Sequence, residues 1–269
     1  MTIAYKETQI SFLDQGKGPC VVLLHGFLES KHFFDRLVLD LSKSFRILSI
    51  DLLGHGESGN IGYIHTMEDM ADQVNTILDH LKIRKVIFVG HSMGGYAALA
   101  FAELYPEKVR GLCLLNSTSR ADSPAKKISR ERAIGQIKKN HESFIRIAIP
   151  LLFRPKNRTR FKSEIRELKN TALSNSKQGI IAALEGMKIR TDREILLHFG
   201  PYPKLLILGK KDDILPFEKQ IDQITGNKTD LDVMPDGHMS LIENYPDCLF
   251  SIEKFLKHCT FAKEQDYLN

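Results

Sequence analysis

Short, almost wholly apolar runs alternate with helix-periodic stretches along most of this chain, and that rhythm leaves few folds open to it. Cys20–Leu24, Phe45–Ile50, Lys85–Val89, Val109–Leu115, Leu205–Leu208 and Leu231–Met234 read as strands. Strands so continuously apolar are covered on both faces, as in parallel sheets. Between them, 31–43, 66–82, 95–105, 217–224 and 245–258 read as helices; Met70, Val74, Ile77, Leu78 and Leu81 recur at helical spacing. Strand and helix in alternation imply an α/β fold, a mostly parallel sheet with helices on both faces. The rhythm breaks over 118–198, where no strand is evident. There Ile134, Ile137 and Ile145, then Ile165, Leu168 and Leu173, then Ile180, Ile181, Leu184 and Met187 follow helical periods. The expected organisation is a core of 1–117 and 199–269 with a helical cap inserted at 118–198. A chain of 269 residues is long enough for one such unit.

The motif with the most chemistry is Gly90-His91-Ser92-Met93-Gly94, set between the strand ending at Val89 and an all-apolar helix. A strand that turns straight into a helix holds the residue at the turn in a strained conformation. Glycines two residues to either side let the crossing backbones approach. A serine there is exposed at a sheet edge, but its hydroxyl is a weak nucleophile and needs a base. Gly209–Pro216 follows an apolar strand and offers a carboxylate, Asp212 or Asp213, where ligands bind in open α/β sheets. Gly237-His238 follows the next short strand and offers the base. An oxyanion would need two backbone N–H donors. Met93 supplies one, and Phe27 of His25-Gly26-Phe27, after the strand ending at Leu24, the other. His25 itself reads as a structural hydrogen-bonding residue. The bland alternative is a plain strand–helix turn with an idle loop histidine.

Taken together, His25-Gly26-Phe27, Asp51-Leu52-Leu53-Gly54-His55-Gly56-Glu57-Ser58, Gly90–Gly95, the Gly-x-x-Asp-x-x-x-Pro pattern of Gly209–Pro216 and Gly237-His238 resemble the α/β-hydrolase superfamily. More narrowly, they resemble its cap-bearing, serine-esterase-like branch. They lie in that family's order over nearly the whole chain. The resemblance implies an α/β-hydrolase fold and a triad of Ser92, Asp212 and His238. It selects Asp212 over Asp213, since the family's acid is the third residue after the glycine. Ser92 at the nucleophile position argues against haloalkane dehalogenases and soluble epoxide hydrolases of this fold, which carry aspartate there. The implied activity is hydrolysis of a carboxylic ester, thioester or lactone through an acyl-enzyme, with no metal or organic cofactor.

Net charge bears on partners. The chain carries +5, yet 120–194 holds 19 Lys and Arg against 8 Asp and Glu, a net of +11. The expected partner is a small-molecule ester, with an acidic substrate or an acyl carrier protein at the basic cap as the alternative. A lyase like the menaquinone-pathway enzyme of this fold is a further alternative. Its relatives place arginine directly after the Gly-Gly of the elbow, where this chain has Tyr96. A non-enzymatic ligand receptor is the fourth reading. Nothing resembles a nucleic-acid motif, and no apolar stretch is long enough to span a membrane. Met1–Glu7 lacks the features of a secretory leader. Cys20, Cys113, Cys248 and Cys259 are scattered, as free thiols in a cytoplasmic protein are.

Overall fold

The computed structural model describes residues 1–261. The chain starts with β1 (Thr2–Tyr5), β2 (Thr8–Gln15) and β3 (Cys20–Leu24), followed by α1 (Asp35–Leu41), β4 (Arg46–Ile50), α2 (Met67–His80), β5 (Val86–His91), α3 (Met93–Leu104) and β6 (Val109–Leu115). Four helices come next, α4 (Pro124–Leu151), α5 (Lys162–Ser174), α6 (Lys177–Ile189) and α7 (Glu194–Phe199). The chain then returns to the sheet with β7 (Lys204–Gly209) and β8 (Thr229–Met234) and ends in α8 (Ser240–Glu243) and α9 (Tyr245–Phe261).

Among the described residues the eight strands form one sheet in the order β1-β2-β4-β3-β5-β6-β7-β8. β2 pairs antiparallel with β1 and β4, and every other pairing is parallel. This is the α/β-hydrolase fold that the motifs imply. The inner strands β3, β5 and β7 are buried at every position, hence their apolar sequences between a few end residues such as His91 and Lys204. Successive side chains still go to opposite faces. Val22, Leu24 and Phe88 pack with Met70, Val74, Ala98 and Phe101 of α2 and α3. Val21, Leu23, Ile87 and Val89 pack with Leu37 of α1 and Ile252 and Phe255 of α9. In register, Leu24 lies beside Gly90 and Leu115 beside His91. The carboxyl ends of β3, β5 and β6 therefore share one edge, and the loops leaving them meet there.

Three elements depart from the sequence reading. The expected helix over 217–224 is a pair of 3-10 turns, Phe217–Lys219 and Ile221–Ile224. Gln223 explains the break: its amide donates to the Gln220 carbonyl (2.8 Å), and its own oxygen accepts from the Ser119 amide (2.9 Å). The side chain thus takes up a carbonyl that a continuing helix would need. Residues 31–34 are likewise a 3-10 turn before α1. The β1–β2 hairpin, with Ile10 and Phe12 fully buried, is additional to the strands read from sequence. Over 118–198 the expected helices are present. α4 is interrupted at Asn140 (φ −156°, ψ 96°), whose side chain caps the next turn through the Ser143 amide. All four cysteines are free and buried. Among the described residues no helix is long and apolar enough to cross a membrane.

Candidate active site

Ser92 stands between β5 and α3 with φ +48° and ψ −112°, outside the comfortable region for a side-chain-bearing residue. Strain of this kind costs about 1–3 kcal/mol and persists only where its surroundings enforce it. The enforcement is visible. The Ser92 amide donates to Leu115 O (3.0 Å), and Ser117 Oγ donates to Ser92 O (2.7 Å). A Cβ on Gly90 would lie 2.6 Å from the Gly95 backbone, and one on Gly94 would overlap the Leu24 carbonyl. The glycines of the motif are thus what allow α3 to start directly above β3 and β5.

The structure brings the expected triad together. His238 Nε2 is 3.0 Å from Ser92 Oγ, and its Nδ1 is 2.7 Å from Asp212 Oδ2. A carboxylate can only accept, so Nδ1 carries the proton and the Nε2 lone pair faces the serine hydroxyl. Asp212 is held from its other side by the amides of Ile214 (2.8 Å) and Leu215 (2.9 Å). Burial pushes its carboxyl up, but His238 and these two N–H groups together hold it below the usual carboxylate range. Asp213, next in the chain, is exposed.

The loop that carries His238 is fastened to the segment after α4. The His238 amide donates to Leu152 O (3.2 Å), and the Arg154 guanidinium pairs with Asp236 (2.8 Å). Glu243 accepts from the amides of Arg154 and Gly237 (3.1 Å each) and from the Asn157 side chain (2.8 Å).

Neither expected oxyanion donor, the Phe27 or the Met93 amide, meets an acceptor among the described residues. The close approach of Gly94 to the Leu24 and His25 carbonyls sets their two loops side by side. Leu28, directly after Phe27, has φ +69°, a second strained residue at this edge. His25 is structural: Nδ1 donates to Gly26 O (2.8 Å), Nε2 accepts from the Leu52 amide (3.0 Å), and burial lowers its basicity. The 51–58 motif is structural too. Asp51 accepts from the Lys31 amide, the Lys31 ammonium (2.7 Å each) and the Glu57 amide (3.0 Å).

A family model described as alpha/beta hydrolase fold matches residues 19–173. The chain belongs to the α/β-hydrolase family. A Bacillus subtilis protein described as a 2-succinyl-6-hydroxy-2,4-cyclohexadiene-1-carboxylate synthase is 32% identical over 209 residues, covering 72% of this chain and 73% of that one. A solved thermophilic esterase from Thermogutta terrifontis is 31% identical, with 94% of each chain covered and a TM-score of 0.86. A non-heme haloperoxidase of Mycobacterium phage D29 is 35% identical over 105 residues, 39% of this chain. This α/β-hydrolase spans only 38% of the phage protein's length.

In this α/β-hydrolase, Ser92 and His238 open into a cavity of about 340 Å³. Its apolar walls include Phe27, Tyr96, Phe144, Leu152, Leu184 and Met187, so α4 and α6 line it together with the sheet edge. A separate cleft of about 450 Å³, lined by Phe33, Arg36, Glu164 and Tyr245, holds none of the triad. Two residues beside the triad escaped the sequence reading. Glu29 and His91, both about 1% exposed, form a buried pair at 3.0 Å. Glu29 also accepts from the Gly26 amide (2.6 Å), and His91 Nε2 donates to His238 O (3.1 Å). Burial pushes the His91 imidazole down, but Glu29, with the His238 carbonyl and Asp212, raises its basicity overall. The pair thus ties the Phe27 loop to the His238 loop. The only sequence signal was a histidine inside the Gly-x-Ser-x-Gly motif and a carboxylate three residues after Gly26.

Proposed function

We propose that this α/β-hydrolase cleaves carboxylic esters through an acyl-enzyme on Ser92. The observation that carries this reading is His238, hydrogen-bonded at once to Ser92 Oγ and to Asp212. His238 takes the Ser92 proton as Oγ attacks the ester carbonyl. The oxygen of the tetrahedral intermediate is received by the Phe27 and Met93 amides, which lie unengaged at the same edge. Collapse expels the alcohol, protonated by His238. A water then gives its proton to His238, attacks the acyl carbon and frees Ser92. Asp212 keeps the imidazole in the tautomer required and stabilises its charged form. Residues 118–198 serve as the cap, closing the apolar side of the cavity. Thioesters and lactones follow the same steps.

Hydrolysis of short and long p-nitrophenyl esters, an acyl-thioester and a carrier-protein ester tests this reading and its carrier-protein variant together. Ser92→Ala is expected to lose on the order of 10⁶-fold in kcat, and a serine-directed phosphonate to label the wild type once, at Ser92. Full activity in the alanine variant, or label elsewhere, would overturn the assignment.

A second reading, the lyase, has one observation in its favour. Arg190 lays its guanidinium 3.9 Å from the Tyr96 ring centroid. An arginine from α6's end thus lies against Tyr96, the residue that stands after the Gly-Gly where the lyase-type relatives carry theirs. Release of an enolisable acid without water consumption, in place of ester turnover, would select that reading.

A further inference from the structure

The wall of the triad cavity holds an unusual set of charges. Lys126 and Arg130, near the start of α4, line it together with Glu29, and Arg190, just after α6, shares the carboxylate of Asp122 with Arg130. Asp122 is occupied by both guanidiniums: it pairs with Arg130 Nε and, at 2.6 Å, with Arg190 Nη1. Arg130 also turns an N–H to Met187 Sδ (3.3 Å), and Arg190 donates to the Arg120 and Met187 carbonyls. Lys126 is different. It lines the same cavity as Ser92 and His238, and it is half-buried. Its ammonium has no carboxylate, carbonyl or hydroxyl partner among the described residues. An ammonium in this setting is costly unless something answers it. Burial and the nearby Arg130 depress its basicity, with Asp122 and Asp212 opposing. The carboxylate among the lining residues, Glu29, is taken up by His91 and the Gly26 amide, and Ser92 and His238 bond to each other, so none of these serves as its partner.

We infer that Lys126 is the receptor for a carboxylate carried by the substrate, so that the preferred ester has an acidic group on a short chain. This rests on the reading of Ser92 as nucleophile toward an ester. A single ammonium, a compact point charge, matches one carboxylate rather than an extended anion. A cavity of about 340 Å³ suits a small molecule. The site also differs in kind from attraction by the exposed basic surface: the contact is made inside the cavity, against a positive cluster that one carboxylate leaves under-neutralised.

Two matched ester pairs test it. Ethyl pentanoate and monoethyl glutarate differ by a terminal carboxylate on the acyl side; butyl acetate and acetoxybutanoate differ in the same way on the alcohol side. Dissociation constants are measured by calorimetry on Ser92→Ala, where no turnover interferes. The anionic member of one pair is expected to bind about tenfold or more tightly than its neutral partner, the size of one charge-assisted contact. That preference should vanish on adding Lys126→Met and survive Lys127→Met, whose side chain is exposed. The pair that responds tells which side of the ester carries the acid. Equal affinity within both pairs, or equal loss from the Lys127 change, overturns the inference. Hydrolysis of the four esters by the protein with Ser92 intact is scored separately. Its absence defeats the esterase reading while the binding result still decides the role of Lys126.

Discussion

Asp212 and Asp213 are adjacent and chemically identical, and the fold gives them opposite surroundings. Asp212 accepts from two backbone amides and from His238, whereas Asp213 is exposed. Asp212→Asn is therefore expected to lower kcat about 10⁴-fold by spoiling the imidazole tautomer, while Asp213→Asn stays near wild type. Steady-state kinetics on one ester, with both variants folded by circular dichroism, decides it; a greater loss from Asp213→Asn would reverse the assignment. Because its partners hold the Asp212 carboxyl below its ordinary range, it stays ionised through mildly acid pH, and protonation of this group should not limit activity there. The positions of Ser92, Asp212 and His238 were legible in the sequence because each is framed by glycines in a local pattern: a turn too tight for Cβ atoms leaves a mark in the chain itself. Glu29 and Lys126 leave no such mark. Their surroundings are made by residues 62 positions away in one case, at His91, and by the α4–α6 contact in the other.

Among the elements, strands were read more reliably than the turns of 217–224. The middle of a strand buried on both faces is apolar, as in β3, β5 and β7, whereas the helical reading there was undone by one buried glutamine side chain. The hairpin of β1 and β2 went unread because half of β2 is solvent-facing and its apolar run is short. The helices of 118–198 were read from their periodicity, but not their contacts, and one contact invites a test. Gly186 of α6 lies against the backbone of His65, so close that an added Cβ would overlap the His65 carbonyl. The His65 amide in turn donates to Ala182 O (3.0 Å). Alanine normally gains up to about 1 kcal/mol over glycine within a helix. The overlap with backbone cannot be relieved by a side-chain rotation, and such overpacking costs roughly 1–3 kcal/mol. Gly186→Ala is thus expected to be net destabilising in urea unfolding. Gly135→Ala in α4, where a Cβ meets nothing within 4 Å, should stabilise. Stabilisation by both would mean that α6 does not pack on the 65 loop as described.

For the molecule as a whole, the +11 of 120–194 is less of a surface field than formal charges suggest. Arg120 pairs with Asp222, Arg154 with Asp236, and Arg193 with Glu68 and Glu103, all across the boundary of the segment. A good part of the excess fastens the helices to the sheet. The acid response is set by paired aspartates, of which Asp236 belongs to these contacts while Asp122 pairs within the segment and Asp69 with Lys6 outside it. Burial pushes the carboxyls of Asp122, Asp236 and Asp69 up, but their cationic and hydrogen-bonding partners hold them below the ordinary range. Groups whose folded pKa is depressed stabilise the fold above their unfolded value, about 3.9 for aspartate, and that contribution drains away as pH falls through the folded value. The melting temperature is expected to be flat from about pH 7 to 5 and to fall below about pH 4. Asp122→Asn should flatten the acid limb while lowering the plateau, and an unchanged limb would mean the Asp122 pairs add nothing to the fold. The fastening of the His238 loop to Leu152 and Arg154 has a last consequence, for anyone recombining members of this family. A helical segment cut out between the sheet strands and replaced by a foreign one takes away the acceptor of the His238 amide and three of the contacts that hold Asp236 and Glu243. Chimeras joined there inherit a misplaced base however well the new segment folds, unless residues 152–157 and 236–243 travel as one cassette.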